Sequence, residues 1–428
     1  MDRKTYENYI GVLKEELVMA LGCTEPIALA YASAVARKEL GAFPEKITAI
    51  CSGNIIKNVK GVTVPNSGNQ KGIEAAVILG ALGGNPDKKL EVLAGITEEQ
   101  IAESKKLVKS GVCSVELAEG VANLYICIIS ANRKDVVKVE IVDKHTNIVN
   151  LEKNGKKLVH KQYTLNREGD AGRRSFMSIE GIMEFTEAAK VEDLSALLDT
   201  QIRCNTLIAQ EGLNKPYGTN TGKKLLEIYG DDVATRARAM AAAGSDARMS
   251  GSDLAVVINS GSGNQGITVT LPVVEYAREL KCEKEKLYKA LILSNLTAIH
   301  IKDNIGSLSA FCGAVSAGAG SSAGITYLLG GTEEQIANAV SNTLAIASGI
   351  ICDGAKPSCA AKISISVDAA IMASKMALSG NNFNGGEGIV MDDVEETISN
   401  VGRIGRIGMK ETDIEILNMM IGKSDVLK

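Results

Sequence analysis

CSVELAEGVANLYICIISANRKDVVKVEIVDKHTNIVNLEKNGKKLVHKQ, residues 113–162, is the stretch that decides the fold class. On either side of this region much of the chain reads as helix; here the period changes. VELAEG, LYICIIS, VVKVEIVD, TNIVNLEKNG and KKLVHKQ are short runs rich in Val, Ile and Leu, spaced as successive strands over residues 113–165. Asn154-Gly155 is the dipeptide that a tight hairpin turn demands. Just upstream, KITAICSGNIIKN from Lys46 reads as a strand and turn. GVTVPNSGNQKGIEAAVILGALGG reads as a strand, a Gly-rich turn and a helix. GITEEQIAESKKLVKSG is a helix opened by Thr97 and Gln100 at capping-box spacing and stopped by Gly111. Residues 46–180 are therefore expected to form a compact α+β unit.

Helical patterns flank this unit. Tyr9, Val12, Leu13 and Leu17 recur at helical spacing, and the N-terminal pattern breaks at Gly22-Cys23-Thr24-Glu25-Pro26. Pro26 suits the first turn of a second helix, IALAYASAVARKEL. Beyond Ser178 six further helical stretches run to about Gly306, followed by a glycine-alanine segment at 313–330. TEEQIANAVSNTLAIASG then repeats the capping-box signal at Thr332 and Gln335. The expected fold class is α+β: a mostly helical core over residues 181–428, an inserted α+β domain over 46–180, and N-terminal helices over 1–45 packing back on the core. With 45% apolar residues there is ample material for a core; 43 glycines, 4% aromatics and no Trp favour close-packed helices.

A net charge of −4 without a basic stripe argues against a nucleic-acid partner. The N-terminus is charged and amphipathic, unlike a signal peptide. No apolar run of 18 residues is free of charges or polar and Gly clusters, so no membrane span is expected. The expected location is the cytoplasm. Nine cysteines, an odd number in a chain of this length, do not suggest a disulfide framework. Cys51, Cys113, Cys127, Cys204 and Cys282 read as small, apolar-like residues. Cys23, Cys312, Cys352 and Cys359 differ, because each sits among Gly, Pro or small polar residues.

GIICDGAKPSCAAKI, residues 349–363, sets Cys352 and Cys359 with six residues between them, too wide for a redox CxxC pair. Cys312 lies 40 residues upstream in AFCGAVSAGAGSSAGI. No histidine accompanies them, which leaves a Cys2His2 zinc site poorly supported. Three thiolates without an evident fourth partner suit a [4Fe–4S] cluster with one open iron. A zinc site with Cys23 as fourth ligand, a Cys352–Cys359 disulfide and inert buried thiols remain alternatives. Asn66, Ser67 and Asn69 in NSGNQ echo Ser262, Asn264 and Gln265 in SGSGNQG, and both loops offer amides and backbone N–H groups to a carboxylate. Cys23 and Glu25 stand at a helix N-terminus, where the macrodipole favours a thiolate and lowers the thiol pKa.

The segment IKDNIGSLSAFCGAVSAGAGSSAG with CDGAKPSCAAKI resembles the α-chain region of iron–sulfur-dependent L-serine dehydratases. From GCTEP through DARMSG and SGSGNQGITVTLPV, nearly the whole chain is more similar still to the L-cysteine desulfidase group, UPF0597. The resemblance implies a [4Fe–4S] cluster held by Cys312, Cys352 and Cys359 in the helical catalytic domain. It also implies α,β-elimination from L-cysteine to sulfide, pyruvate and ammonia. Cys23 is then the candidate base at Cα, with Glu25 orienting it or serving as base itself. Ser262, Asn264 and Gln265 are the first choice for the substrate carboxylate, Asn66, Ser67 and Asn69 the second, and Arg248 a candidate ion-pair partner. The six-residue loop is shorter than that of the serine enzymes and favours the desulfidase branch. The alternatives are L-serine dehydratase and a non-catalytic metal- or thiol-sensing protein. The expected partner is a small amino acid, and the reading leaves room for a homodimer. Lys302 and Asp303 are assigned no role.

Overall fold

The computed structural model describes residues 1–163, 174–306 and 308–422. Its strands are β1 (Met19–Leu21), β2 (Lys46–Ser52), β3 (Cys113–Ala118), β4 (Tyr125–Ala131), β5 (Val136–Val142), β6 (Ile148–Lys153), β7 (Lys156–His160) and β8 (Ala255–Val257). Six of them form one sheet in the order β3-β2-β4-β5-β6-β7. The five strands expected after residue 113 are all present; residues 164–165 lie outside the described residues. Asn154 and Gly155 take φ angles of 51° and 80°, the geometry behind the Asn-Gly preference. β2 and β3 pair in parallel, which no tight turn can connect. Helices Ile73–Gly83 and Glu98–Ser110 fall in that crossover, the second with its capping box formed.

Four local features depart from the sequence reading, the first being that the strand expected in GVTV is only an isolated bridge between Thr63 and Lys71. The expected turn after β2 is a helix, Gly53–Lys60, with Ile55 and Val59 buried. The first helix, Arg3–Glu16, ends before Gly22, and β1 follows it. β1 pairs antiparallel with β8, Met19 opposite Val257 and Leu21 opposite Ala255. Strands of three residues are too short to show a period, so neither was legible.

Helix Thr24–Leu40 packs on helix Ile73–Gly83 and on β4 and β5, and so forms one layer of the α+β unit. Helix Arg3–Glu16 is held instead by Tyr9, whose ring stacks on Phe185 at 4.9 Å between centroids. In the helical half, the glycine-alanine segment folds as helix Gly313–Leu328, sheathed by Gly263–Glu279, Lys284–Ile305, Glu333–Ala347 and Cys359–Leu378. Its own propensity is poor, and burial on every side supplies the stability. A Cβ at Gly320 would strike the Ser294 carbonyl, which is why this helix is built from small residues. One large apolar cluster runs through both halves, with smaller clusters beside it. No helix among the described residues is long and apolar enough to cross a membrane.

Candidate active site

An antiparallel bridge between Phe311 and Ile351 sets two of the cysteines side by side. The Cys312 amide donates to the Ile350 carbonyl at 3.1 Å, and the Cys352 amide to the Ala310 carbonyl at 2.6 Å. Cys312 is the N-cap of helix Gly313–Leu328, and Cys359 is the first residue of helix Cys359–Leu378. The loop between Cys352 and Cys359 is pinned by Asp353, which pairs with both Lys356 and Lys362. Gly354 has φ 92°, and a Cβ there would strike the Lys57 carbonyl, so the loop lies directly on helix Gly53–Lys60. Lys57 is buried, donates to the Cys352 carbonyl at 3.4 Å and pairs with Asp413 of the C-terminal helix.

These contacts set the electrostatics of the thiols. The hydrogen bond from Cys312, then Lys57, the Gly354 amide and Lys302 hold the Cys352 thiol down at about 6, against its burial. Cys312, the donor of that bond, is pushed up. Burial pushes the Cys359 thiol up. Burial also pushes the Lys302 ammonium down to about 8, against the pull of Cys352 and Cys312. Two buried lysines thus supply positive charge where sulfur anions would gather. All nine cysteines are free thiols, so no disulfide joins Cys352 to Cys359. Among the described residues no three His, Cys, Asp or Glu side chains gather tightly enough to cage a single ion.

The N-terminal segment brings a second group to the same place. Cys23 is the N-cap of helix Thr24–Leu40 and packs with Val62 and Met249 in a small cluster that Ala355 and Cys359 join. Cys23 and Cys359, 336 positions apart in sequence, therefore share one apolar wall. The Cys23 thiol donates to Oε2 of Glu25 at 3.0 Å, and Asn58 Nδ2 donates to Oε1 at 3.0 Å. His145 Nε2 lies 4.0 Å from the same Oε1. Burial opposes ionisation of Glu25, yet His145, the Cys23 thiol and Arg248 outweigh it and hold the carboxyl below its usual range.

The expected lowering of the Cys23 pKa is not found. Burial and the adjacent Glu25 charge push this thiol well up, and the weaker pull of Arg248 does not offset them. Desolvation of a fully buried thiol outweighs a helix dipole, whose influence is confined to one turn. At rest the pair is a thiol hydrogen-bonded to a carboxylate: one proton and one negative charge.

The SGSGNQG loop reaches both groups. Ser262 caps helix Gly263–Glu279 by accepting from the Gln265 amide. Gln265 Oε1 accepts from Ser316 at 3.3 Å, one turn into the helix that Cys312 caps. Asn264 Oδ1 accepts from Arg248 Nη1 at 3.1 Å. A Cβ on Gly263 would strike Arg248 Nε, so glycine is required for the arginine to pass. Arg248 is buried, and its Nε has no hydrogen-bond partner among the described residues. Thr24 closes the circuit by donating to the Gly261 carbonyl at 2.9 Å. Arg248, held by Asn264, therefore acts on both Cys23 and Glu25, while Ser262 and Gln265 brace the loop and the start of the Cys312 helix. Asn66, Ser67 and Asn69 are not brought in. Asn66 bonds to the Leu93 carbonyl, Ser67 bonds within its own turn to Gln70, and Asn69 is exposed.

Asp246, two residues before Arg248 in the same helix, is fully buried. Its Oδ2 accepts from the Gly222 amide at 3.1 Å, and its Oδ1 has no partner among the described residues. Burial pushes this carboxyl up to about 6, against the amide donors of Gly222, Thr221 and Thr219. The folded protein therefore holds this proton more tightly than the unfolded chain does. Stability from this group is expected to fall as pH rises from about 4 to about 6, on the order of 2–3 kcal/mol. Thermal melts of Asp246→Asn against the parent protein check this. The difference between the two should grow through that window and then level off. A constant difference would remove Asp246 as its source.

A cavity of about 710 Å³ lies between the α+β unit, the helical core and the C-terminal helix. His145, Ser260, Gly261 and Lys302 line it, together with Arg406 and Asp413. Sequence reasoning missed His145, Asn58, Lys57 and Lys302. No local pattern marks them, because each works through a partner far away in the chain.

A family model described as "Serine dehydratase alpha chain" matches residues 87–418. A UPF0597 protein of Desulfitobacterium hafniense is 50% identical over 423 residues, covering 98% of this chain and 97% of the relative. UPF0597 proteins of Lachnoclostridium phytofermentans and Finegoldia magna are 50% and 48% identical, each over 97% of this chain and 100% of the relative. By these matches across nearly its full length, the chain belongs to the UPF0597 family and to the wider serine dehydratase alpha-chain family.

Proposed function

We propose that the protein is an iron–sulfur-dependent lyase that eliminates sulfide from L-cysteine, giving pyruvate and ammonia. One observation carries this reading: the Cys23–Glu25 pair packs against the wall that holds Cys359, beside Cys312 and Cys352. The donor set fits a [4Fe–4S] group. Three thiols stand at the ends of three different segments, Cys312 and Cys359 at helix N-termini, with Lys57 and Lys302 beside Cys352 to balance their charge. Cys312, Cys352 and Cys359 would hold it. When bound, it would supply a Lewis-acid iron to the substrate's β-sulfur.

The remaining chemistry falls to side chains. Arg248, held by Asn264 and with Nε unpartnered, takes the substrate carboxylate. The Cys23 thiol passes its proton to Glu25, and the thiolate so formed accepts the Cα proton. As that C–H bond breaks, the electron pair forms the Cα–Cβ double bond, and the Cβ–S bond breaks with its pair leaving on sulfur. The resulting enamine tautomerises to an imine, and water hydrolyses it to pyruvate and ammonia. Burial of Cys23 keeps water from competing for the proton.

The family description favours one second reading, elimination of water from L-serine by the same groups. Anaerobic reconstitution with iron and sulfide, followed by assay of sulfide and pyruvate, separates the two. Equal sulfide and pyruvate from L-cysteine, with L-serine much poorer, is the expected result. Pyruvate mainly from L-serine would transfer the activity to the dehydratase reading. A loaded cluster with no product from either amino acid would leave a sensor.

A further inference from the structure

We propose that His145, presented by the α+β unit, carries protons between Glu25 and the large cavity as the third member of a Cys23–Glu25–His145 relay. The proposal rests on the elimination reading. Cys23, Glu25 and Arg248 are sealed inside, at 2%, 8% and 2% exposure. Of these three and His145, only His145 also lines the cavity. Its Nε2 is buried, has no hydrogen-bond partner among the described residues, and stands 4.0 Å from Glu25 Oε1. That distance is about 1 Å beyond a hydrogen bond, so one water or a small ring movement completes the path.

The position of the ring is built rather than incidental. His145 occupies the turn between β5 and β6. Asn147 locks that turn, its side chain donating to the Val142 carbonyl at 3.0 Å and its amide to the Lys144 carbonyl at 3.0 Å. The Asp143 amide ties the turn to the Leu124 carbonyl at 3.1 Å, and Lys144 pairs with Glu15 of the first helix. On the opposite side Gly261, with φ 76°, leaves room for the imidazole: a Cβ there would lie 3.2 Å from Cε1. Glu25 from one helix and Arg248 from another face the ring. Burial drives the imidazole toward its neutral form, Glu25 pulls against it, and Arg248 adds to the push. A ring that is neutral at rest can take a proton from Glu25.

The steps balance. After Cys23 has accepted the Cα proton, the proton held on Glu25 passes to Nε2 and leaves the carboxylate behind. The imidazolium then gives the proton on its other ring nitrogen, Nδ1, to water or to departing hydrosulfide in the cavity, and a turn of the neutral ring restores the starting tautomer. Without this exit Glu25 stays protonated and Cys23 cannot be reset. Arg248 cannot serve, because a guanidinium does not release its proton near neutral pH.

The test uses the cluster-loaded full chain and two variants. His145→Ala is expected to lower kcat by about 100-fold with KM little changed. Added imidazole, entering from the cavity, should restore part of that rate, and more so at pH values where imidazole is neutral. His145→Gln should be as slow and should not respond, because its side chain fills the space. Near-parent kcat in His145→Ala, or a loss that imidazole leaves untouched in a protein of parent melting temperature, overturns the relay. A second readout needs no activity. In the metal-free protein the His145 ring, followed by NMR, should titrate at lower pH in Glu25→Gln than in the parent. An unmoved ring also overturns the proposal. Should the parent process no amino acid while the ring still shifts, the elimination reading fails and the Glu25–His145 contact stands.

Discussion

Alanine at Cys352 is expected to leave a folded protein that assembles no cluster and turns over no L-cysteine. Cys352 is the thiol of the set that ionises most readily, held down at about 6 by Cys312, Lys57 and neighbouring donors. A metal–sulfur group binds thiolates, so this sulfur is the one most ready to ligate at neutral pH. The backbone bonds that place it, Cys352 to Ala310 and Cys312 to Ile350, do not involve the sulfur and survive the substitution. After anaerobic reconstitution the visible absorption band of the cluster should be missing, and sulfide and pyruvate should fall to background. The far-ultraviolet circular dichroism should match the parent. A Cys352→Ala protein that still shows the band and the parent rate would place the cluster elsewhere in the chain.

Glutamine at Glu25 should have the opposite signature: a normal cluster and almost no turnover. The amide keeps the size of the carboxylate: its one oxygen can still accept from Cys23, and its NH2 can donate to Asn58 once that side chain turns its Oδ1, which has no partner among the described residues, toward it. It cannot accept the thiol proton, so the Cys23 thiol, already pushed up by burial, has no route to thiolate. A loss of about 10²–10⁴-fold in kcat is expected, the range for removing a positioned proton acceptor. The visible spectrum should be unchanged. Parent-like kcat in Glu25→Gln would show that the Cα proton leaves by another route.

Much of the fold is legible because its signals are local. The five strands after residue 113 announce themselves as short β-rich runs, and the capping boxes at Thr97 and Thr332 form as their spacing dictates. β1 and β8 were not legible at three residues each, yet their pairing runs the chain that carries Cys23 alongside the chain that carries Arg248. The glycine-alanine segment told less than it decides: its small residues mark close packing, but its helix depends on the neighbours that surround it.

By itself the sequence determined the alternation of helix and strand, the turn at Asn154-Gly155, and the chemical kinds of residue in GCTEP, SGSGNQG and the cysteine loop. The tertiary structure decided which of these meet. It set Cys312 beside Cys352, brought Cys23 onto the wall of Cys359, and left Asn66, Ser67 and Asn69 outside. It also reversed the expectation for Cys23, whose thiol is raised rather than lowered. The physical reason is the same throughout. Period, caps and turns depend on neighbours a few positions apart, whereas burial and through-space charge at Cys23, Glu25 and Cys352 come from Lys57, His145, Arg248 and Lys302. Those residues lie tens to hundreds of positions from the groups they act on, and only the folded chain sums their effects.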